Sequence, residues 1–522
     1  MENSSQSSVS YWSGSSPQDY LSPTPLSHGE LADVCVVGGG IAGLTTAYLL
    51  LEEGRSVVVL DDGPFGGGMT GYTSAHLSNA LDDRYYWLER RHGEEGARLA
   101  AQSHTAAIDK IAAIVEKERI RCDFVRVDGF LVESLDGPGR ELEKEHPAAR
   151  RAGLPVEWAD SVPWPEFPSG RCLRFPDQAQ FHPLRYINGL AKAIQKKGGR
   201  LYSHTKAVSV QGGARAWVDT ESGHRVVASH IVVATNTPFN NRVVIHTKQA
   251  PYNTYIVGLA IPRGLLQPAL CWDTQEAYHY VRLTSMDETD DLLIVGGEDH
   301  KTGQAEDFEA RYHRLEQWAR ERFPSAGRVL YRWSGEVFEP LDGMAYIGRN
   351  PGDEENVYLC TGDSGNGLTH GTLGAMLLTD LICGRENPWE SLYNPSRVPL
   401  GTATEFLKEN LNVAVQYTDW VTPGEVACAE DLSPGEGGVV RRGLRKVACY
   451  RDEEGQLHEF SAVCPHLAGI VAWNGSEQTW DCPCHGSRFD RFGKVFVGPA
   501  NSDLAPLDEA GVTPLMVRPS GA

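Results

Sequence analysis

Asp33-Val-Cys-Val-Val-Gly38-Gly-Gly40-Ile-Ala-Gly43 decides the fold of most of this chain. A short buried strand, Asp33 to Val37, runs straight into spaced glycines, and Leu44 to Glu53 then carries a helical pattern closed by Gly54. Ser56 to Leu60 reads as the next strand, ending at Asp61. A lone Gly-x-Gly-x-x-Gly says little. Set between strand and helix, with an acid at the end of the following strand, it marks a dinucleotide-binding βαβ unit. Gly38 permits the tight turn, Gly40 lets backbone approach a pyrophosphate and Gly43 lets helix pack on strand. The helix N-terminus stabilises phosphate charge, and Asp61 is placed to accept hydrogen bonds from ribose hydroxyls.

The next loop separates the candidate dinucleotides. Gly66-Gly-Gly-Met-Thr-Gly71-Tyr-Thr73-Ser74-Ala-His76-Leu77 resembles the loop that runs beneath the flavin in FAD-dependent oxidoreductases of the D-amino-acid oxidase class. Three later stretches resemble the same class: Phe181-His-Pro183, which opens a helix; His230-Ile-Val-Val-Ala234-Thr-Asn236, a strand and turn returning to the cofactor; and Thr361-Gly362-Asp-Ser-Gly365-Asn-Gly367-Leu-Thr369-His-Gly371, leading into a helix from Thr372 to Cys383. The resemblance implies FAD, with Gly38, Gly40, Gly43, Asp61, Gly71, Thr73, Ser74, Val208, Ala234, Gly362, Gly365, Gly367 and Thr369 as its contacts. In the last loop glycine lets backbone approach the isoalloxazine, and the helix N-terminus can stabilise negative charge on the reduced ring. Some relatives attach FAD covalently near the first loop, which makes His76 a rival; non-covalent FAD is preferred, because the register of His76 matches no linked histidine.

The C-terminal part carries a second motif. Cys464-Pro-His466 is followed, after fifteen residues, by Cys482-Pro-Cys484-His485-Gly-Ser487. Two thiolates and two imidazoles, one of each from each loop, form the ligand set of a [2Fe–2S] cluster with both cysteines on one iron and both histidines on the other. A Cys2His2 zinc site is the competing reading, but zinc fingers pair Cys with Cys and His with His. Cys482 to Asp490 resembles the second loop of Rieske proteins, and Gly498-Pro499-Ala500 resembles their proline loop. Respiratory-type Rieske proteins carry a further Cys just after the first-loop His, joined by a disulfide to the middle Cys of the second loop. Here that stretch is His466-Leu-Ala-Gly-Ile470, so Cys484 is expected as a free thiol. Phe489 stands where high-potential members place a Tyr that donates to a ligand sulfur, whereas Ser487 is kept. Fewer donors mean a less stabilised reduced cluster, and a potential in the lower part of the family's roughly −150 to +300 mV range.

The expected fold is an α/β Rossmann-type FAD domain with an antiparallel β-sheet substrate domain, followed by an all-β Rieske domain. The FAD-dependent part spans 31–395: cofactor-binding pieces lie near 31–110, 180–245 and 340–395, and substrate-domain pieces near 115–175 and 250–335. Strand-like stretches at 254–261, 278–283 and 292–296 and an amphipathic helix from Glu306 to Phe323 fit the latter. Residues 396–425 read as a linker around a helix at 404–411, and 426–522 as the Rieske domain.

Composition bounds the rest. With 48 basic against 69 acidic residues the chain carries −21, which argues against nucleic acid or an anionic membrane as partner. No apolar run reaches spanning length. Residues 1–30, rich in Ser and Pro, read as a disordered tail without a signal-peptide core. Eleven scattered cysteines fit a reducing cytoplasm.

Tyr252, Tyr255, Trp272, Tyr278, His279, Tyr280 and Arg282 form an aromatic-rich set with one cation in the substrate-domain segments. It suits a small amine or amino acid, with Arg282 as a carboxylate clamp, although ordinary core roles compete for each residue. Tyr346 and Arg349 are weaker candidates. The expected function is oxidation of a substrate C–N bond, with electrons passing from FAD to the cluster and on to an external one-electron acceptor. The alternative runs the other way: a redox partner feeds the cluster, which supplies a flavin monooxygenase. An oxidase with a structural cluster and a non-enzymatic electron carrier are the remaining rivals. No Asp/Glu-x-x-His-x4-His run of a Rieske non-haem oxygenase is present.

Overall fold

The strand Glu30–Val37 is covered on both faces from Val34 onward, the burial that a central strand of a parallel sheet requires. The computed structural model describes residues 8–16, 24–134, 140–240, 245–275, 277–398 and 402–507. They divide into two units, one of Ser8–Lys301 with Glu309–Glu409, the other of Thr302–Phe308 with the chain from Asn410 onward.

In the first unit, one sheet runs in the order Tyr346–Arg349, Val357–Thr361, Arg225–Val233, Glu30–Val37, Val57–Leu60, Arg200–Tyr202. Its inner pairings are parallel, and the hairpin Ala207–Gln211 with Ala216–Thr220 joins it through Arg225–Val233. Helices Ile41–Glu52 and Gly367–Ile382 are buried around most of their circumference. They pack so closely that a Cβ on Gly371 would lie 2.9 Å from Ile41 Cγ2. The second sheet runs Val329–Pro340, Gln249–Pro262, Asp290–Lys301, His279–Ser285, Leu270–Asp273, Val125–Val132, Cys172–Gln180, His76–Leu77. Only the pairing of Leu270–Asp273 with Val125–Val132 is parallel.

The helix expected over 306–323 is Phe308–Arg322, and the one expected over 404–411 extends to Ala403–Gln416. The longest helix, Tyr85–Glu118, was not anticipated; it turns sharply at Gly93, where φ is 72°. Its polar positions equal the apolar ones in number and many of the latter are alanine, so the buried stripe through Leu99, Ser103, Ala107 and Ile114 is faint in sequence.

The disordered-tail expectation needs correction. Residues 1–7 and 17–23 lie outside the described residues, but Tyr11–Gly14 is a helical turn capped by Ser10, and Trp12 is completely buried. Two aromatic side chains in a Ser-rich segment are enough to seat it, since each carries a large apolar area.

The second unit holds a three-stranded sheet, Gly437–Arg442, Arg445–Arg451, Leu457–Ser461, and a four-stranded one, Ala472–Asn474, Thr479–Asp481, Arg488–Asp490, Val495–Val497, both antiparallel. Trp480 and Phe489 fill its core. Beneath the second cysteine loop, buried Arg488 donates to Asp481 Oδ1 at 3.0 Å, and Asp481 also accepts from Thr479 and Asn474. A buried charge pair is tolerable only when its remaining lone pairs are met in this way.

Candidate functional site

The glycine turn has the shape its sequence requires. Gly38 has φ 108°, and a Cβ there would sit 2.3 Å from Ala234 O; a Cβ on Gly43 would meet Gly38 O at 1.9 Å. Gly40 leads into the helix with no side-chain cap of its own, and although Ile41 N donates to Thr70 Oγ1 at 3.2 Å, the helix still turns its N-terminus toward an anion at the glycines. Asp61 Oδ2 accepts from Gly39 N at 2.5 Å and Oδ1 from Gly63 N at 2.8 Å. A carboxylate has about four lone-pair sites, so acceptor capacity is left for ribose hydroxyls. Burial, reinforced by Asp62, pushes Asp61 up to about 7. Val208 stands on the neighbouring hairpin, three residues beyond Thr205, whose amide donates to Asp61 O at 2.7 Å. The side-chain-free turn and the acid beside it fit a dinucleotide.

The loop after the second strand is held from behind by the N-terminal segment. Ser10 Oγ donates to Gly71 O and Trp12 Nε1 to Thr73 O, each at 2.6 Å. The Trp12 ring lies 5.1 Å from the Arg282 guanidinium carbon. Arg282 is almost wholly buried, and its Nη1 donates to Ala75 O at 2.6 Å and Phe181 O at 3.2 Å. The expectation of a carboxylate clamp at Arg282 is weakened: Nη1 is engaged by these backbone carbonyls, the guanidinium is enclosed beneath Trp12 with Nε unpartnered, and burial pulls it down to about 9. His76 Nε2 donates to Val281 O at 3.3 Å, so Nδ1 accepts from Ser74 Oγ at 2.9 Å. Both ring nitrogens are engaged.

The aromatic set divides. Tyr255 hydrogen-bonds His300 Nε2 at 2.8 Å and meets Tyr312 of the helix Phe308–Arg322, so it serves the packing on that helix. His279 stacks on Trp318 at 4.4 Å and hydrogen-bonds Asp273. Tyr346 is buried beneath Arg397, and Arg349 donates to Glu355 O on the surface. Tyr278 and Tyr280 stay together, 5.8 Å apart, with His76 5.7 Å from Tyr280 and Trp272 5.9 Å from His76. Tyr252 lies on the strand Gln249–Pro262 with the Lys301 ammonium over its ring.

Around Tyr278 and Tyr280 stand carboxyls that the sequence reading missed. Asp82 is hydrogen-bonded to Tyr278, and burial lifts it to about 6. Asp299 is hydrogen-bonded to Thr254 and lifted by burial to about 7, with Asp82 adding to the rise. Glu339 is raised well above the ordinary range by burial and by Asp83. Ser364 Oγ lies 2.7 Å from Asp83 Oδ2 and 2.9 Å from Glu339 Oε2. One hydroxyl has one proton to give, so the three oxygens are satisfied only if one carboxyl is protonated. The Asp82-Asp83 pair follows the first glycine loop and Asp363 stands inside the second, which was the available clue.

Gly362 and Gly365 take φ of 74° and 69°, and Gly367 opens the helix Gly367–Ile382. Thr369 Oγ1 lies 2.8 Å from His104 Nδ1, His104 Nε2 lies 3.2 Å from His370 Nε2, and His370 Nδ1 donates to Asp363 O at 2.8 Å. Burial holds both imidazoles down, so this chain of neutral rings braces the loop from inside.

In the second unit the expected ligands meet as two pairs, Cys464 hydrogen-bonded to Cys482 and His466 beside His485. Cys464, Cys482 and His485 are buried, and the His466 and His485 rings are perpendicular with centroids 5.1 Å apart. Turns close each loop: Cys464 N donates to Gly469 O, and Cys482 N to Ser487 O, both at 2.8 Å. Hydrogen bonds from Cys464 and Cys484 draw Cys482 toward the thiolate, and burial keeps His485 toward neutral, the two forms in which such groups bind metal. Ser487 Oγ accepts from Ala500 N at 2.9 Å and is hydrogen-bonded to Cys464. Cys484 is a free thiol, as expected. Two sulfurs and two imidazoles fit a two-iron cluster divided two and two.

Known proteins agree with both halves. A model of the FAD dependent oxidoreductases matches residues 33–381, and one of the Rieske [2Fe-2S] domain matches 422–508. YhfW of Bacillus subtilis (strain 168), provisionally named a Rieske 2Fe-2S iron-sulfur protein, is 33% identical over 95% of this chain and 97% of its own. Gamma-glutamylputrescine oxidoreductase of Escherichia coli (strain K12) is 27% identical over 75% of this chain and 92% of its own. Glycine oxidase from Geobacillus kaustophilus shares the fold at a TM-score of 0.60 and 19% identity, over 71% of this chain and 99% of that one. Among the described residues no helix is long and apolar enough to cross a membrane. The chain belongs to the FAD-dependent oxidoreductases and carries, behind that module, a Rieske [2Fe–2S] domain.

Proposed function

We propose that the protein oxidises the C–N bond of a small, positively charged amine and passes the electrons from FAD through the Rieske cluster to an external one-electron acceptor. Bound FAD supplies the capacity to take two electrons as hydride and to release them singly. The observation that carries the amine reading is the set of Asp82, Asp299 and Glu339 beside Tyr278 and Tyr280. Buried carboxylates favour a cation, and the aromatic rings offer it their faces. With Arg282 Nη1 held by backbone and the guanidinium enclosed beneath Trp12, an amine drawn by the carboxyls fits better than an α-amino acid held by its carboxylate. The amine named for the Escherichia coli relative agrees with this class. The engaged nitrogens of His76 support non-covalent FAD, and eleven scattered cysteines favour a reducing cytoplasm.

The deciding experiment is anaerobic addition of diamines, monoamines and methylated amino acids. An amine should bleach the flavin first and then produce the reduced-cluster paramagnetic resonance signal. Reduction of the cluster by a reductase, with no response to any amine, would reverse the proposed flow.

Two further outcomes follow here. Asp82 and Asp299, raised to about 6 and 7, are charged above those values and neutral below. The affinity for tetramethylammonium, whose charge does not titrate, should therefore rise at least about tenfold between pH 5 and 8, read from the perturbed flavin spectrum. A flat profile removes these carboxyls from the site. Phe489→Tyr, at a position completely buried in the core around the cluster cysteines, should raise the cluster midpoint by some tens of millivolts, since about 59 mV corresponds to about 1.4 kcal/mol for one electron. An unchanged midpoint in a redox titration would mean that residue 489 is turned away from the ligand sulfurs.

A further inference from the structure

Both cluster loops are tied to chain that lies outside the Rieske match at 422–508. On the first loop, Tyr417 Oη donates to Leu467 O at 2.5 Å and Trp420 Nε1 donates to Ala468 O at 3.0 Å. These two carbonyls lie between the ligand His466 and Gly469. On the second loop, Gln304 Nε2 donates to Pro483 O at 3.0 Å, the carbonyl directly after ligand Cys482. Gly303 packs so tightly there that a Cβ would sit 2.8 Å from Pro483 N and 2.9 Å from Asp481 O. Gln304 is in turn locked to Asn412 by a reciprocal amide pair, at 2.8 and 3.2 Å. Asn412 belongs to the helix Ala403–Gln416, which continues into Tyr417–Trp420. One helical segment thus holds both ligand loops, directly on one side and through Gln304 on the other.

No covalent bond joins the loops, because the residue facing Cys484 is a glycine. A Cβ on Gly469 would lie 2.6 Å from Cys484 Sγ and 3.4 Å from its Cβ. Disulfides place their Cβ atoms about 3.5–4.5 Å apart, so a cysteine at 469 would meet Cys484 after a shift of tenths of an ångström.

We propose that Tyr417, Trp420, Gln304 and Asn412 are positioning residues of the cluster: a hydrogen-bonded clasp that fixes the spacing of the two ligand loops in place of a covalent tie. The proposal rests on the cluster assignment but not on the substrate or on the direction of electron flow. Tyr417, Trp420 and Gln304 each donate to a loop carbonyl within two residues of a ligand, and Asn412 holds Gln304 in place, so losing a donor frees the ligand's backbone while leaving the β-sheets intact.

The test uses the full chain loaded with both cofactors. Tyr417→Phe removes one hydroxyl and keeps the ring, and Gln304→Leu keeps the volume. Together they should shorten the lifetime of the cluster's visible absorbance in air about tenfold and broaden its paramagnetic resonance lines, with flavin content unchanged. Adding Gly469→Cys to that background should restore both. The two thiols give two electrons and two protons to oxidised glutathione, which leaves as two reduced molecules, and mass spectrometry counts the two hydrogens lost. Unaltered lifetime and line shape overturn the proposal. So does a lower melting temperature with an unaltered resonance spectrum, which would make these residues ordinary packing. Loss of the cluster from Cys464→Ser with Tyr417→Phe silent would sink the clasp while sparing the ligand assignment.

Discussion

Cys464→Ser should yield a protein with its full flavin spectrum and no iron–sulfur cluster. Cys464 and Cys482 are the thiolate ligands we propose, and a serine hydroxyl gives neither the soft donor nor the low pKa that iron needs. His485→Ala should give the same outcome from the other iron, because His466 and His485 are the only imidazoles in the described residues of the two loops. Loss should be complete in both, since a two-iron cluster missing one of four protein ligands is open to solvent on that side. Iron and acid-labile sulfide analysis beside flavin absorbance checks it. Full iron occupancy in either variant would show that another residue holds the metal.

Gly40→Val should expel FAD. The backbone at Gly40 is ordinary, with φ −79°, so the obstacle is space and not strain. A Cβ alone would lie 3.1 Å from Thr70 Oγ1, which a small shift accommodates, and Gly40→Ala should be mild. The branched methyls of valine have to occupy the ground that a pyrophosphate crosses. Overpacking costs about 1–3 kcal/mol and loss of charged hydrogen bonds about 1.5–3 kcal/mol, which together weaken FAD binding by two to four orders of magnitude. Gly43→Ala should behave differently. Its Cβ would collide with Gly38 O at 1.9 Å, so helix and strand separate and the fold of that unit is lost. Equal effects at 40 and 43 in a flavin titration would defeat this division of roles.

How much of this was legible follows from the reach of each interaction. The glycine turn, the flavin loop and the cysteine–histidine loops are local motifs in which a few neighbouring residues fix backbone and chemistry together, so their placement could be read directly. Arg282 could not, because its partners Ala75 and Phe181 lie more than a hundred residues away in sequence. An arginine on a strand looks the same whether it faces a substrate or a row of carbonyls. The carboxyls at 82, 299 and 339 come from three separate elements, and only the fold shows that they face the same tyrosines. The clasp was hidden for the same reason: Gln304 sits in the middle of the FAD-dependent sequence, yet it belongs with Pro483.

Trp12 adds a constraint of timing. The helical turn that carries it docks on Thr73 and Arg282, and Arg282 is synthesised 270 residues later. At about 5–20 residues per second a ribosome takes roughly 15–50 s to cover that distance. For that interval an apolar indole and a tyrosine wait outside the core they will fill, where chaperones or a neighbouring nascent chain can reach them. The segment leaves the ribosome well before the strand on which it docks, so the flavin loop in front of it is completed only after most of the FAD-dependent module has been made.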